Sequence, residues 1–176
     1  MNVYFDNAAT TKVRDEVIDD ISIVLKDCFG NPSSTHSFGR SAKSYIETSR
    51  KSIAKIINCD SSEIIFNSGG TESDNSILKC AVKDLGVKHI ISSKIEHHAI
   101  THTLDELESQ SVNVHYVKLT ENGNVDIDNL ETLLRLNDEP KLVTLMYINN
   151  EIGNILDVNS VSNLCLLYTS PSPRDH

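Results

Sequence analysis

Apolar positions recur at helical spacing in the first third of the chain. Residues 15–28 place five of them on one face: Val17, Ile18, Ile21, Val24 and Leu25. The segment 30–34, Gly-Asn-Pro-Ser-Ser, breaks this helix. The pattern predicts a longer helix over 37–57, whose apolar side is formed by Tyr45, Ile46, Ile53, Ile56 and Ile57.

The pattern changes near residue 63 to short β-rich runs that alternate with helical segments. Strands are predicted at 63–67, 88–93, 112–119 and 142–148. Helices are predicted at 71–85, 100–109 and 128–136, with a further helix starting at 157–161. This alternation is typical of βαβ units, so the predicted fold class is α/β, a mostly parallel sheet with flanking helices.

Composition narrows the possible partners. The formal net charge is −9, and no basic run occurs, which argues against nucleic acid and anionic membranes as partners. No stretch reaches the roughly 18 apolar residues of a membrane span, and the first residues do not resemble a secretion signal. The four cysteines are widely spaced. We therefore expect reduced, mostly buried thiols in a cytoplasmic protein.

The last residues do not fit the preceding pattern. Residues 165–175, Cys-Leu-Leu-Tyr-Thr-Ser-Pro-Ser-Pro-Arg-Asp, match one reading frame of a common transposase-type sequencing adapter. We therefore predict three segments: an amino-terminal arm at 1–14, a domain at 15–164 and an adapter-derived tail at 165–176. The alternative is an ordinary Ser/Pro-rich tail, and the codons of the underlying DNA distinguish the two.

Polar clusters follow three of the predicted strands. In the first, 68–72, a Ser-Gly-Gly-Thr-Glu run opens a helix, where backbone N–H groups and glycines suit a phosphate. Thr71 could instead be an N-cap paired with Asp74. The second contains Glu96, His97 and His98 with His102 further on, but the HExxH pattern is absent, so no metal site is predicted.

The third cluster, 147–153, contains Asn149 and Asn150 directly after an apolar strand. The asparagines could serve only as turn formers. However, ligands of open α/β folds bind at the carboxyl ends of the strands. The shared placement of all three clusters therefore predicts a ligand site along one edge of the sheet.

Five motifs in order resemble the first part of a cysteine desulfurase, in the class V aminotransferase family with the type I pyridoxal-phosphate (PLP) fold. They lie at 4–11, 30–39, 68–75, 96–97 and 149–153. The resemblance implies an incomplete large domain of the PLP-transferase type I fold. It also implies that Gly70 and Thr71 hold the PLP phosphate, that His97 stacks on the ring and helps move protons, and that Asn150 bonds its phenolic oxygen. The 7–11 arm and the 31–36 loop would lie near the substrate entrance and the dimer partner.

The resemblance also implies L-cysteine as substrate, L-alanine as product and a homodimeric parent. An enzyme persulfide would pass sulfur to an iron–sulfur scaffold or to tRNA thiolation. The family's Schiff-base lysine and nucleophilic cysteine lie beyond residue 164, so the fragment is predicted to be inactive. The strand at 63–67 would lack its neighbours, which predicts poor stability.

Three alternatives remain open at this point. The parent could be a selenocysteine lyase or another class V enzyme, which the absent cysteine loop would decide. The chain could be a natural short protein that pairs with a full-length partner, which a genuine stop codon would indicate. It could also be a plain phosphate-binding α/β module, which would need neither His97 nor Asn150.

Overall fold

The computed structural model describes residues 2–168. They form two compact units, divided between Phe66 and Asn67. The predicted boundaries at residues 14 and 164 stay predictions, and residues 169–176 of the predicted tail lie outside the described residues. No helix in residues 2–168 is long and apolar enough to cross a membrane.

The first unit contains two of the predicted helices. Helix α1 spans Asp15–Asp27 and α2 spans Ser37–Ile57, which confirms both predictions to within one residue. A short 3₁₀ turn, Ser61–Glu63, packs against α2. The α1 helix has no buried residue, and Ile21 on its predicted apolar face is 51% exposed. The spacing of apolar residues therefore predicted the helix correctly, although no described residue of this unit buries its apolar face.

Close backbone contact explains the glycines that flank the loop before α2. A Cβ at Gly39 would lie 2.3 Å from the Ser34 carbonyl oxygen and 2.7 Å from that of Asn31. Since this is closer than side-chain carbons approach backbone atoms, only glycine lets the loop fold onto the first turn of α2. His36 caps the same turn, because its Nδ1 accepts the Gly39 N–H at 3.3 Å.

The second unit is a three-stranded parallel sheet with helices on both faces. The strands are β1 (His89–Ser92), β2 (Asn113–Tyr116) and β3 (Lys141–Val143), in the order β2-β1-β3. The helices are α3 (Gly70–Lys83), α4 (His98–Ser109), α5 (Ile127–Leu134) and α6 (Val158–Leu167). This architecture confirms the predicted fold class.

The central strand β1 supplies side chains to two cores. Ile90 packs with Leu78 of α3 and Leu104 of α4, whereas Ile91 packs with Leu130 of α5 and with α6. Successive strand residues point to opposite faces. The helices α3 and α4 therefore cover one face of the sheet, and α5 and α6 cover the other.

The strand predictions were partly wrong. Residues 64–67 form no strand, and Ile65 there is 81% exposed. A strand requires a hydrogen-bonded neighbour, and no strand lies beside residues 64–66 among the described residues of the first unit. The other three strands are shorter than predicted because pairing stops where β1 ends. After Thr144 donates to the Ile91 carbonyl at 2.9 Å, the chain turns away from the ladder.

Candidate functional site

The first turn of α3 presents uncapped backbone donors. Its N-cap is Gly69, which has no side chain and a φ of +152°. Thr71 is the second residue of the helix, so the alternative that Thr71 is the N-cap is wrong. The N-terminal bond of the helix runs from Ser73 N to Gly69 O at 3.1 Å, so the N–H groups of Gly70 and Thr71 precede it. A Cβ at Gly69 or Gly70 would meet nothing within 4 Å.

The charge of Glu72 is held away from those donors. Its Oε2 accepts from the Ser68 hydroxyl at 2.6 Å and from the Ser68 N–H at 2.8 Å. These two bonds, the hydroxyl first, lower the pKa of the Glu72 carboxyl. Within the described residues the Thr71 hydroxyl makes no hydrogen bond. The turn therefore keeps a hydroxyl and backbone amides available for an anion.

His97 combines a structural role with a free ring nitrogen. It is the N-cap of α4, where its Nδ1 accepts the Ala99 N–H at 3.1 Å. In the neutral ring this bond places the proton on Nε2, so the exposed His97 can donate from that atom. His98 and His102 stack on each other with ring centroids 5.2 Å apart. Across residues 2–168, no group of three or more metal-binding side chains could hold an ion.

The loop that carries Asn150 is bonded to the loop that carries His97. Asn149, which is buried, donates from Nδ2 to the Ile95 carbonyl at 2.8 Å. Its Oδ1 accepts the N–H groups of Glu151 and Ile152 at 2.9 and 3.0 Å. Asn149 therefore fixes the turn, while the exposed Asn150 amide makes no hydrogen bond in the described part of the chain.

Glu96 makes a second connection between these loops, which sequence reasoning missed. Its Oε1 accepts from Ser93 Oγ at 2.7 Å and from Met146 N at 3.0 Å. The residue stands directly before His97, but only the fold shows that its carboxylate binds the backbone that follows β3. The positions of His97 and Asn150 are thus coupled by two cross-loop contacts, one from Glu96 and one from Asn149.

The helices α3 and α4 lie side by side in parallel. Thr103 Oγ1 donates to Asn75 Oδ1 at 2.9 Å, and Lys79 Nζ bonds Glu106 Oε2 at 2.8 Å. From the first contact to the second, the residue number rises on both helices, from 75 to 79 on α3 and from 103 to 106 on α4. The helices therefore run in the same direction, and their amino-terminal ends lie on the same side. Since α4 begins just after β1 ends, the first turn of α3 also lies at the carboxyl edge of the sheet.

A cavity of about 320 Å³ opens beside the loops. It is lined by Glu96 and Asn149, with apolar walls from Leu145 and Ile155. None of the four predicted site residues lines this cavity. Gly70, Thr71, His97 and Asn150 are instead exposed, and no hydrogen bond in the described part of the chain joins one of them directly to another.

A parallel sheet with helices on both faces and exposed polar groups along its carboxyl edge defines an α/β protein, the class of fold in which ligands bind at that edge. The family model for class-V aminotransferases matches residues 3–168, and the chain belongs to this family. The family is PLP-dependent in general.

The chain is similar to proteins named as cysteine desulfurases. It is 41% identical over 165 residues to a putative cysteine desulfurase IscS 1 of Bacillus subtilis, covering 92% of the chain and 43% of that relative. It is 44% identical over 168 residues to a cysteine desulfurase IscS of Dictyoglomus turgidum, covering 94% and 42%. This confirms the resemblance on which the sequence interpretation rests.

Solved structures show the same fold. A NifS-like protein superposes with a TM-score of 0.89 at 37% identity, covering 96% of this chain and 46% of that one. A structure titled SspA in complex with cysteine superposes with a TM-score of 0.86 at 32% identity, covering 96% and 48%. The chain spans less than half the length of these relatives.

Proposed function

We propose that this chain is the amino-terminal part of a PLP-dependent cysteine desulfurase. The observation that carries the proposal is the row of unengaged donors along one edge of the sheet: the start of α3, His97 Nε2 and the Asn150 amide. Their chemistry fits the phosphate, the ring and the phenolic oxygen of PLP. Of the relatives described above, two are named as cysteine desulfurases, and one solved structure is titled as a complex with cysteine.

The residues present would divide the binding of PLP between them. The amides of Gly70 and Thr71 and the Thr71 hydroxyl would bind the phosphate, which is favoured at the positive end of a helix dipole. His97 would stack on the ring and carry a proton on Nε2, and Asn150 would donate to the phenolic oxygen. When bound, PLP supplies an electron sink for charge at the α-carbon of an amino acid.

The overall reaction would convert L-cysteine to L-alanine. In the family, a cysteine thiolate attacks the substrate sulfur, the carbon–sulfur bond breaks and an enzyme persulfide forms. The 176 residues contain no counterpart of the family's Schiff-base lysine or of that cysteine, so we expect the chain by itself to be inactive. We propose a homodimeric, cytoplasmic full-length protein whose persulfide supplies an iron–sulfur scaffold or tRNA thiolation.

The test uses the full-length protein encoded by the gene, purified with PLP. We expect an in-frame Ser-x-His-Lys segment downstream of codon 164, a yellow protein, and equal amounts of alanine and sulfide from L-cysteine with a thiol reductant. His97→Gln should lower kcat about 100-fold. His98→Gln is the matched control, since it changes the neighbouring exposed imidazole, and should leave kcat near wild type.

Two outcomes would contradict the desulfurase proposal, and a third would contradict the role of His97. A full-length protein that binds PLP but releases no alanine from cysteine would exclude the desulfurase. Turnover confined to selenocysteine would assign the selenocysteine lyase reaction instead. Equal losses in the His97 and His98 variants would refute the role assigned to His97.

A further inference from the structure

A polar bridge joins α3 to α4 close to their amino-terminal ends. Asn75 Nδ2 donates to the Thr71 carbonyl at 2.9 Å, and Asn75 Oδ1 accepts from Thr103 Oγ1 at 2.9 Å. Thr103 is 3% exposed, and its hydroxyl also lies 2.8 Å from the Ala99 carbonyl. The Ala99 N–H in turn donates to His97 Nδ1. A continuous path therefore runs from the first turn of α3 to the His97 ring.

The bridge can be satisfied in one orientation of the Asn75 amide. Reversing the amide would set its oxygen against the Thr71 carbonyl oxygen, and two acceptors repel. The buried Thr103 hydroxyl has a single proton, which it shares between Asn75 Oδ1 on α3 and the Ala99 carbonyl of its own helix. In the observed orientation the Asn75 amide therefore donates to the Thr71 carbonyl and accepts from Thr103, so both of its ends are bonded. The bridge thus restrains the amino-terminal end of α3 relative to that of α4.

We infer that Asn75 and Thr103 are positioning residues that set the distance between the phosphate-binding turn at Thr71 and the ring-stacking His97. The inference rests on the proposed function. PLP carries its phosphate and its ring at a nearly fixed separation, so a site that holds both gains affinity only if the two anchors are spaced to match. Neither residue touches the cofactor in this role.

The molecule supplies a matched control in the second cross-helix contact. Lys79 and Glu106 join the same two helices about one turn further from their amino-terminal ends, and both side chains are about half exposed. An exposed ion pair restrains a helix weakly. Breaking it therefore perturbs the same interface without changing the bridge at Asn75.

The experiment compares PLP with pyridoxal, which has the same ring and lacks the phosphate. Apo full-length protein is titrated with each compound, and binding is followed by absorbance and by the ³¹P chemical shift of PLP. Thr103→Val removes the hydroxyl and keeps the side-chain shape. We expect it to weaken PLP binding about five- to tenfold, the size of effect that loss of the one cross-helix hydrogen bond would have, and to leave pyridoxal binding within about twofold.

Further variants make the result specific. Thr103→Ser restores the hydroxyl and should restore the preference for PLP, while Lys79→Met should not alter it. If Thr103→Val does not fold, Asn75→Leu carries the test, since leucine keeps the branched outline of asparagine at this half-buried position and loses both bonds. It should produce the same selective loss of PLP affinity.

The outcomes separate this inference from the proposed function. A wild-type protein that binds PLP no better than pyridoxal would refute the phosphate site and with it the bridge's role. A wild-type preference that Thr103→Val and Asn75→Leu retain would overturn the positioning inference alone. Equal weakening of both compounds would also overturn it, because it would show a general structural defect.

Discussion

Replacing Asn149 by alanine should loosen the loop that carries Asn150. The Asn149 side chain is buried and makes three hydrogen bonds: one to the Ile95 carbonyl, and one each from the N–H groups of Glu151 and Ile152. Alanine would remove all three hydrogen bonds at once. The loop would then lose its connection to the segment before α4 and the Asx turn that shapes residues 149–152.

The magnitude follows from those three bonds. A typical hydrogen bond contributes about 0.5–1.5 kcal/mol net, and more is lost when a buried partner is left unsatisfied. Glu151 and Ile152 are exposed, so water can replace the bonds to their N–H groups, whereas the Ile95 carbonyl is half-buried. We therefore expect local opening of the loop to become easier by about 2–3 kcal/mol.

The assay is native-state hydrogen exchange of the full-length protein, followed in peptides that cover residues 147–156. A change of 2–3 kcal/mol corresponds to roughly a 30- to 150-fold loss of protection in these amides. Asn150→Ala is the matched control when the full-length protein is measured without PLP, because its side chain is exposed and unbonded in the described part of the chain, and it should leave protection unchanged. Unchanged protection in Asn149→Ala, or equal loss in both variants, would refute the structural role assigned to Asn149.

Three other results are expected. Burial first, and then the nearby charges of His89 and Lys141, lower the pKa of His115. The folded state thus favours the neutral ring, so stability should fall as the pH drops below about 6.5. In urea unfolding His115→Gln should flatten that fall, and parallel pH profiles would contradict this. The isolated 176-residue chain should aggregate, since α1 buries no residue, and a cooperative, reversible melt would argue against it. Gly70→Ala should leave the melting temperature unchanged, because a Cβ at this position meets nothing within 4 Å. The same variant should weaken PLP binding measured by titration. An unchanged affinity for PLP would show that Gly70 is not part of the phosphate site.

Helix positions could be predicted from the sequence because their signals are local. Both α1 and α2 follow from apolar spacing within one segment, and the break between them follows from the glycine and proline of 30–34. The length of a strand cannot be predicted from local sequence, since a strand ends where the neighbouring strand no longer provides backbone hydrogen-bond partners. The predicted strand at 142–148 therefore shrank to Lys141–Val143, and the one at 63–67 did not form.

The site divides in the same way. Residue types and placement after predicted strands indicated the clusters of Thr71, His97 and Asn150, although the strand before the Thr71 cluster did not form, and the resemblance supplied the proposed roles. The contacts that hold these residues could not be predicted. Glu96 binds a backbone amide 50 residues away, and Asn75 binds a hydroxyl 28 residues away, with no mark of either partner in the local pattern.

If the proposed function is correct, the residues that bind PLP and the residues that react lie in different parts of the full-length protein. The second unit has an apolar core on each face of its sheet, and all four predicted cofactor residues belong to it. The donors along its edge are positioned by capping and cross-loop hydrogen bonds within the unit, so the proposed PLP-binding residues would be positioned without the residues that react. In the proposed full-length enzyme, the Schiff-base lysine and the nucleophilic cysteine would come from other parts of the chain and would act at this edge, whose donors are positioned by contacts within the second unit.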